Sequence, residues 1–200
     1  MSNSTYEIVI GFSPRLVLQA SKQWNDAKSA ILANLLSQEM PNDEAGLRVL
    51  FEGAGLSDWH WDWTWKSLTC RGDDFIWLYL VTEHERVQAI AIIYHPKMSR
   101  LDDEPIFYID YVATAYWNRN PKSGTVEFKG AARRLIAEAT LHANKSIGYR
   151  AGFSLHSLPT AESYYEKLGL TKFEKDPSKE DLVYFEADES AATALLQEAQ

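Results

Sequence analysis

The chain has 200 residues, 46% of them apolar and 12% aromatic, which excludes an intrinsically disordered segment and suffices for one domain with a real core. Its formal net charge of -8 is opposite to the basic face of a nucleic-acid binder, so no nucleic-acid partner is expected. A single cysteine, Cys70, excludes a disulfide framework and a Cys-rich metal site, and the five His show no paired ligand spacing, so the expectation is a reducing, cytoplasmic setting and no metal.

Met1 to Thr5 is polar and lacks the basic-then-apolar pattern of a signal peptide. Tyr6 to Ile10 reads as a short strand ending at Gly11. Ser13-Pro14 reads as a helix start, with Pro in the first turn. Leu16, Ala20, Trp24, Ala27, Ile31 and Leu35 then recur at helical spacing, and the run stops before Pro41. A short apolar segment, Leu47 to Phe51, is closed by Gly53 and Gly55. Next comes Ser57-Asp58-Trp59-His60-Trp61-Asp62-Trp63-Thr64-Trp65-Lys66. Trp at every second position is strand periodicity, yet Ser57-Asp58 would equally cap a helix that pairs the Trp residues at i, i+4. The two readings stand side by side.

Phe75 to Thr82 and Val87 to Tyr94 read as strands joined tightly through His84-Glu85-Arg86. The apolar run Phe75 to Val81 is far shorter than the roughly 20 residues of a membrane span, so no membrane partner is expected. Met98 to Glu104 is a polar loop, and Ile106 to Ala115 a strand rich in aromatic and β-branched residues. A turn-forming loop, Asn118 to Gly124, precedes a helix over Ala131 to Asn144, with Gly148 just past its end. Arg150 to Leu155 is a strand, and Thr160 to Leu168 a short helix with Thr160 as N-cap, closed by Gly169. Leu170 to Phe173 and Leu182 to Glu186 form a last strand pair, and a terminal helix covers Ala191 to Ala199. This order implies an α+β fold, a mixed, largely antiparallel twisted sheet flanked by helices.

Two segments carry a family resemblance. Glu127-Phe128-Lys129-Gly130-Ala131-Ala132, following the strand end Val112-Ala113-Thr114-Ala115, resembles the Arg/Gln-x-x-Gly-x-Gly/Ala loop and helix of the GNAT superfamily of N-acetyltransferases. Leu158-Pro159-Thr160-Ala161-Glu162-Ser163-Tyr164-Tyr165-Glu166-Lys167-Leu168-Gly169-Leu170 resembles that family's Asn-x-x-Ala-x-x-x-Tyr-Glu-Lys-Leu-Gly-Phe signature. Glu127 stands where the family has Arg or Gln, Leu158 where it has Asn, and the loop before Gly130 is longer. Lys122, Ser123 and Gly124 are candidates to share the phosphate contacts, and Ser157 to take over from the missing Asn.

The resemblance implies a three-layer fold, residues 1–188 as one domain (1–74 on the acceptor side, 75–188 the cofactor core), and a helical tail at 189–200. It implies acetyl-CoA as co-substrate and an amine acceptor: a small amine, a peptide or a lysine. Val112, Ala113 and Thr114 would bond the pantetheine arm and polarise the thioester carbonyl. Lys129, Gly130, Ala131, Ala132 and Arg133 would hold the pyrophosphate, since a helix N-terminus offers converging N–H groups and small residues admit the ligand. Tyr165 matches the tyrosine that protonates the leaving thiolate. Asp110, on the strand just before the acyl site, is the first choice for the base, with Glu104 and His156 as alternatives. The Trp-rich segment with Asp58 and Asp62 suits either a cationic acceptor or a packed core and lid. A non-catalytic coenzyme A sensor is the rival reading, and the Trp-rich stretch and the Ala191 to Leu196 segment are candidate homodimer surfaces.

Overall fold

In the computed structural model, which describes residues 5–37, 40–119 and 126–198, strand β1 (Tyr6–Ile10) leads into helix α1 (Pro14–Leu36). Ser13 is the N-cap, its hydroxyl accepting from the Leu16 N–H at 3.4 Å, with Pro14 at the first helical position. Helix α2 (Glu44–Gly53) is capped by Asp43, which accepts from the Gly46 N–H at 2.8 Å. The Trp-rich stretch resolves its ambiguity as a helix, but a later one. Helix α3 (Trp63–Thr69) is capped by Asp62, which accepts from the Trp65 N–H at 3.0 Å, while Trp59 and Trp61 lie in the turns before it. Asp58 caps nothing because Arg119 holds it in an ion pair.

Strands β2 (Phe75–Thr82), β3 (Arg86–Met98) and β4 (Pro105–Thr114) follow as an antiparallel meander. Helix α4 (Ala131–His142) continues through one wide turn, Ala143–Ile147, and stops at Gly148 in the left-handed conformation. Strand β5 (Phe153–Ser157) starts three residues later than the sequence suggested. A single 3-10 turn, Pro159–Ala161, then precedes helix α5 (Glu162–Lys167), so Thr160 is not its N-cap. Strands β6 (Thr171–Asp176) and β7 (Leu182–Ala187) pair antiparallel, and helix α6 (Glu189–Glu198) closes the described chain.

The seven strands form one sheet in the order β1-β2-β3-β4-β5-β7-β6, and β4–β5 is its one parallel pair. Helices cover both faces, which explains the continuous apolar runs of the inner strands. Along β2, Leu78 and Leu80 join one core with Leu135 and Ile136 of α4. Trp77, Tyr79 and Val81 join the other core with Leu16, Ala20 and Trp24 of α1. Each such side chain, fully removed from water, contributes about 1.5–3 kcal/mol. Helix α6 is part of the first of these cores rather than a tail, since Ala192 and Leu195 are buried there.

Candidate active site

The parallel pair holds for only three residues: Phe107 opposite Phe153, Tyr108 opposite Ser154 and Ile109 opposite Leu155. Beyond Ile109 the two strands part, and β4 runs on to Thr114 with its β5-facing edge out of the ladder. A cavity of about 790 Å³ opens at this split, lined by β4 from Tyr108 to Val112 and by side chains from α3, β5, α5 and the turn before β7. A β-bulge marks the same point. Ile92 pairs with Tyr111 and Ile93 with Ile109, leaving Asp110 as the extra residue of β4. Bulges bend a strand and re-aim side chains, and here Tyr111 and Ala113 turn to the α1 face while Val112 stays with the α4 core.

Asp110 lines the cavity, and burial raises its pKa, against the opposing pull of the Lys179 charge, the Cys70 hydrogen bond and the Lys66 charge. The Cys70 thiol points at its Oδ2 across 3.7 Å. Lys66 shares this wall. Its ammonium sits 3.3 Å from the ring centroid of Tyr111 and 4.9 Å from that of Trp61. The aromatic faces expected to receive a cationic acceptor therefore already carry a cation of the chain itself. Of the two carboxylates expected beside them, Asp58 is buried and accepts from Arg119, its Oδ2 lying 3.0 Å from Nη2, whereas Asp62 caps α3 through Oδ1 and still lines the cavity. Trp63 belongs to the core, whereas Trp61 and Trp65 line the cavity.

Tyr165, from α5, forms part of the opposite wall. Its ring packs 5.8 Å from that of Phe185, and burial raises its phenol pKa far above the usual value, so it stays protonated. A second polar group on the cavity is long-range in sequence. The Tyr108 hydroxyl lies 2.8 Å from His156 Nδ1, and His156 Nε2 lies 3.1 Å from Asp176 Oδ2. Because a carboxylate only accepts, Nε2 carries the proton and Nδ1 accepts from the phenol. Burial lowers the His156 pKa, with Lys179 and Arg100 pushing the same way and Asp176 opposing.

The expected residues thus fall into two groups. Asp110, Val112, Tyr165 and the alternative base His156 meet in one cavity. Glu104 does not line it; it lies in the β3–β4 turn, its N–H bonded to Asp102. Ala113 faces the α1 side, and the Thr114 carbonyl accepts from Arg119 Nε at 2.6 Å. Ser157 is buried and donates to the Leu158 carbonyl, so its hydroxyl is engaged locally. Lys129, Gly130, Ala131, Ala132 and Arg133 gather at the start of α4, outside the cavity lining. Arg133 stands near the Tyr164 phenol, the neighbour of Tyr165, which links the two groups. Lys122, Ser123 and Gly124 lie outside the described residues.

The start of α4 fits a diphosphate. Gly130 is the N-cap at φ 78°, gives no side-chain cap, and a Cβ built there meets nothing within 4 Å. The first backbone bond of the helix runs from Arg134 N to Gly130 O, so the N–H groups of Ala131 and Ala132 precede the ladder. Glu127 does not oppose an anion here: Arg86 grips it with two bonds of 2.7 Å and holds its pKa below the usual carboxylate range. Arg86 in turn stacks on Trp117 at 3.8 Å. Gln88 accepts from Trp117 Nε1 and Asn118 Nδ2, both at 2.8 Å, and Asn118 Oδ1 accepts from the Phe128 N–H at 2.9 Å. Both ends of the loop are thereby tied to the start of β3.

Solved structures share this architecture. FdhC, a nucleotide-linked sugar GNAT in its apo form, superposes with a TM-score of 0.53 at 10% identity, over 96% of this chain and 90% of its own. A Lactobacillus plantarum protein assigned as an N-acetyltransferase gives 0.51 at 15% identity, over 91% of this chain and 97% of its own. The chain has the GNAT fold. KacTA, solved as a complex with DNA, gives 0.50 at 15% identity over 97% of this chain and 99% of its own. No family model matches the chain, and no curated protein matches it. No helix among the described residues is long and apolar enough to cross a membrane, and none of their His, Cys, Asp and Glu side chains cluster as a metal site.

Proposed function

We propose that the chain is an N-acetyltransferase that passes an acetyl group from acetyl-CoA directly to an amine. The observation that carries this reading is the split between β4 and β5, with Asp110 and Tyr165 both on the cavity that opens there. Acetyl-CoA supplies an activated acyl group as its thioester. Ala131 and Ala132, with Gly130 before them and Lys129 and Arg133 at their flanks, would hold its diphosphate. The unpaired edge of β4 around Val112, Ala113 and Thr114 would bond the pantetheine arm and aim an N–H at the thioester oxygen, where negative charge grows during transfer. Asp110 takes the proton that the amine loses as its nitrogen bonds to carbon; a carboxyl whose pKa is raised by burial is better matched to that task than an exposed one. Tyr165 gives its proton to the thiolate as the carbon–sulfur bond breaks. The net charge of -8 favours a small amine over a nucleic acid as acceptor.

Calorimetry with acetyl-CoA and a thiol-release assay over a panel of amines test this together. Tyr165→Phe is expected to bind coenzyme A as tightly as the parent chain and to release thiol about 100-fold more slowly. Tight binding with no amine-dependent release, and no effect of Tyr165→Phe, would instead make the protein a coenzyme A-binding module.

A further inference from the structure

Lys66 is the least expected feature of the cavity. Only 9% of its surface is exposed, it lines the cavity, and its ammonium makes no hydrogen bond or ion pair among the described residues. An ammonium taken out of water without acceptors is costly, and ring faces recover only part of that cost. The nearby carboxylates do not pair with it: Asp58 is held by Arg119, and Asp62, which caps α3 through Oδ1, makes no ion pair with Lys66. Asp110 shares the cavity but forms no ion pair with Lys66, and its Oδ2 faces the Cys70 thiol. On this side of the cavity, whose lining also includes Asp62, Lys179 and Glu180, the Lys66 ammonium and the Asp110 carboxylate are near each other and not joined.

We infer that Lys66 binds a carboxylate of the acceptor, and that the acceptor is an amino-acid-like amine whose nitrogen meets Asp110 while its carboxylate meets Lys66. This rests on the acetyltransferase reading above and adds the substrate class. A zwitterion offers each of these two groups a partner of opposite charge. A phosphate is a poorer match to Lys66, because a dianion wants several converging donors and this ammonium is flanked by the rings of Trp61 and Tyr111. The aromatic surfaces of Trp61, Trp65 and Tyr111 on the same cavity suit an apolar side chain on the acceptor. Burial lowers the Lys66 pKa from its ordinary value, against the pull of Cys70, Asp110, Asp58 and Asp62, and a carboxylate bound there would raise it again.

The test compares free amino acids with their own carboxamides, leucine against leucinamide and phenylalanine against phenylalaninamide, in thiol release from acetyl-CoA. The free acids should show a KM about tenfold lower than the amides, the effect of one charge-assisted contact. Lys66→Met should bring the two KM values together, and Lys66→Arg should keep them apart. Equal KM values in the parent chain, a preference that survives Lys66→Met, or no turnover of any amino acid by a chain that binds coenzyme A would each overturn the inference. If coenzyme A fails to bind, the acetyltransferase reading falls by itself. Calorimetry with leucine alone then decides the matter: binding by the parent chain that Lys66→Met removes sustains the carboxylate site, and no binding ends it.

Discussion

His156 is held at both ring nitrogens, by the Tyr108 phenol and the Asp176 carboxylate, which fixes the tautomer, so a second proton on Nδ1 would require the phenol to turn from donor to acceptor. Its folded pKa lies below the unfolded value of about 6.5. Between those two values the unfolded chain binds more protons, so stability rises with pH and is lost as pH falls from 7 through 6.5 toward the folded value. Urea denaturation between pH 7.5 and 5.5 should show that loss, and His156→Gln should remove its share of the slope. At this scale the sequence was partly legible. Val112 and Tyr165 were singled out through motifs and Asp110 by its place just before the strand end, and all three line one cavity. Tyr108 and Lys66 were not, because their roles come from contacts across 48 and 45 positions of sequence (to His156 and Tyr111) that no local pattern announces. The alternating Trp residues also drew attention away from the lysine that ends the stretch.

The element that decides ligand affinity is the N-terminus of α4. Gly130 holds a left-handed φ of 78°, a conformation that costs an L-residue roughly 1–2 kcal/mol. Gly130→Ala should lower stability by about 1 kcal/mol and weaken coenzyme A binding by about tenfold, because a residue that disfavours the left-handed φ would shift the backbone that sets the Ala131 and Ala132 N–H groups. Denaturation and calorimetry on the same variant separate the two effects. Element types were legible from apolar periodicity and from Gly and Pro punctuation, as in α1, whose Ser13-Pro14 start is as read. Boundaries were less so. The start of α5 is displaced by the 3-10 turn Pro159–Ala161, and a threonine before a helical pattern does not reveal that turn. Glu127 looked unfavourable in the motif only because its partner Arg86 lies 41 positions earlier.

Across the whole molecule, the segment before the sheet and the sheet itself are joined by the buried Asp58–Arg119 pair, which also reaches the Gly55 carbonyl at 3.2 Å and the Tyr116 ring at 4.1 Å. Asp58→Ala leaves Arg119 buried without its carboxylate, which should cost about 3–5 kcal/mol. Chemical denaturation followed at Trp fluorescence and at far-ultraviolet ellipticity should give coincident transitions in the parent chain, since α1 and the sheet share one core. The layered α+β architecture was legible from the order of elements. The place where the sheet opens was not, because three parallel pairs followed by divergence leave no trace in composition.

The bulge at Asp110 gives the chain two kinds of vulnerability to mutation at one codon. Replacing the residue removes a carboxylate and leaves the strand's course intact, so Asp110→Asn is a change in chemistry alone. Deleting it removes the bulge and leaves the pairing as it is, because Ile109 and Tyr111 already stand opposite the consecutive residues Ile93 and Ile92 on alternate faces. Tyr111, Val112 and Ala113 would keep their cores, and the strand would lose its bend where it leaves β5. A substitution at this position therefore tests the carboxylate, and a deletion tests the bend as well.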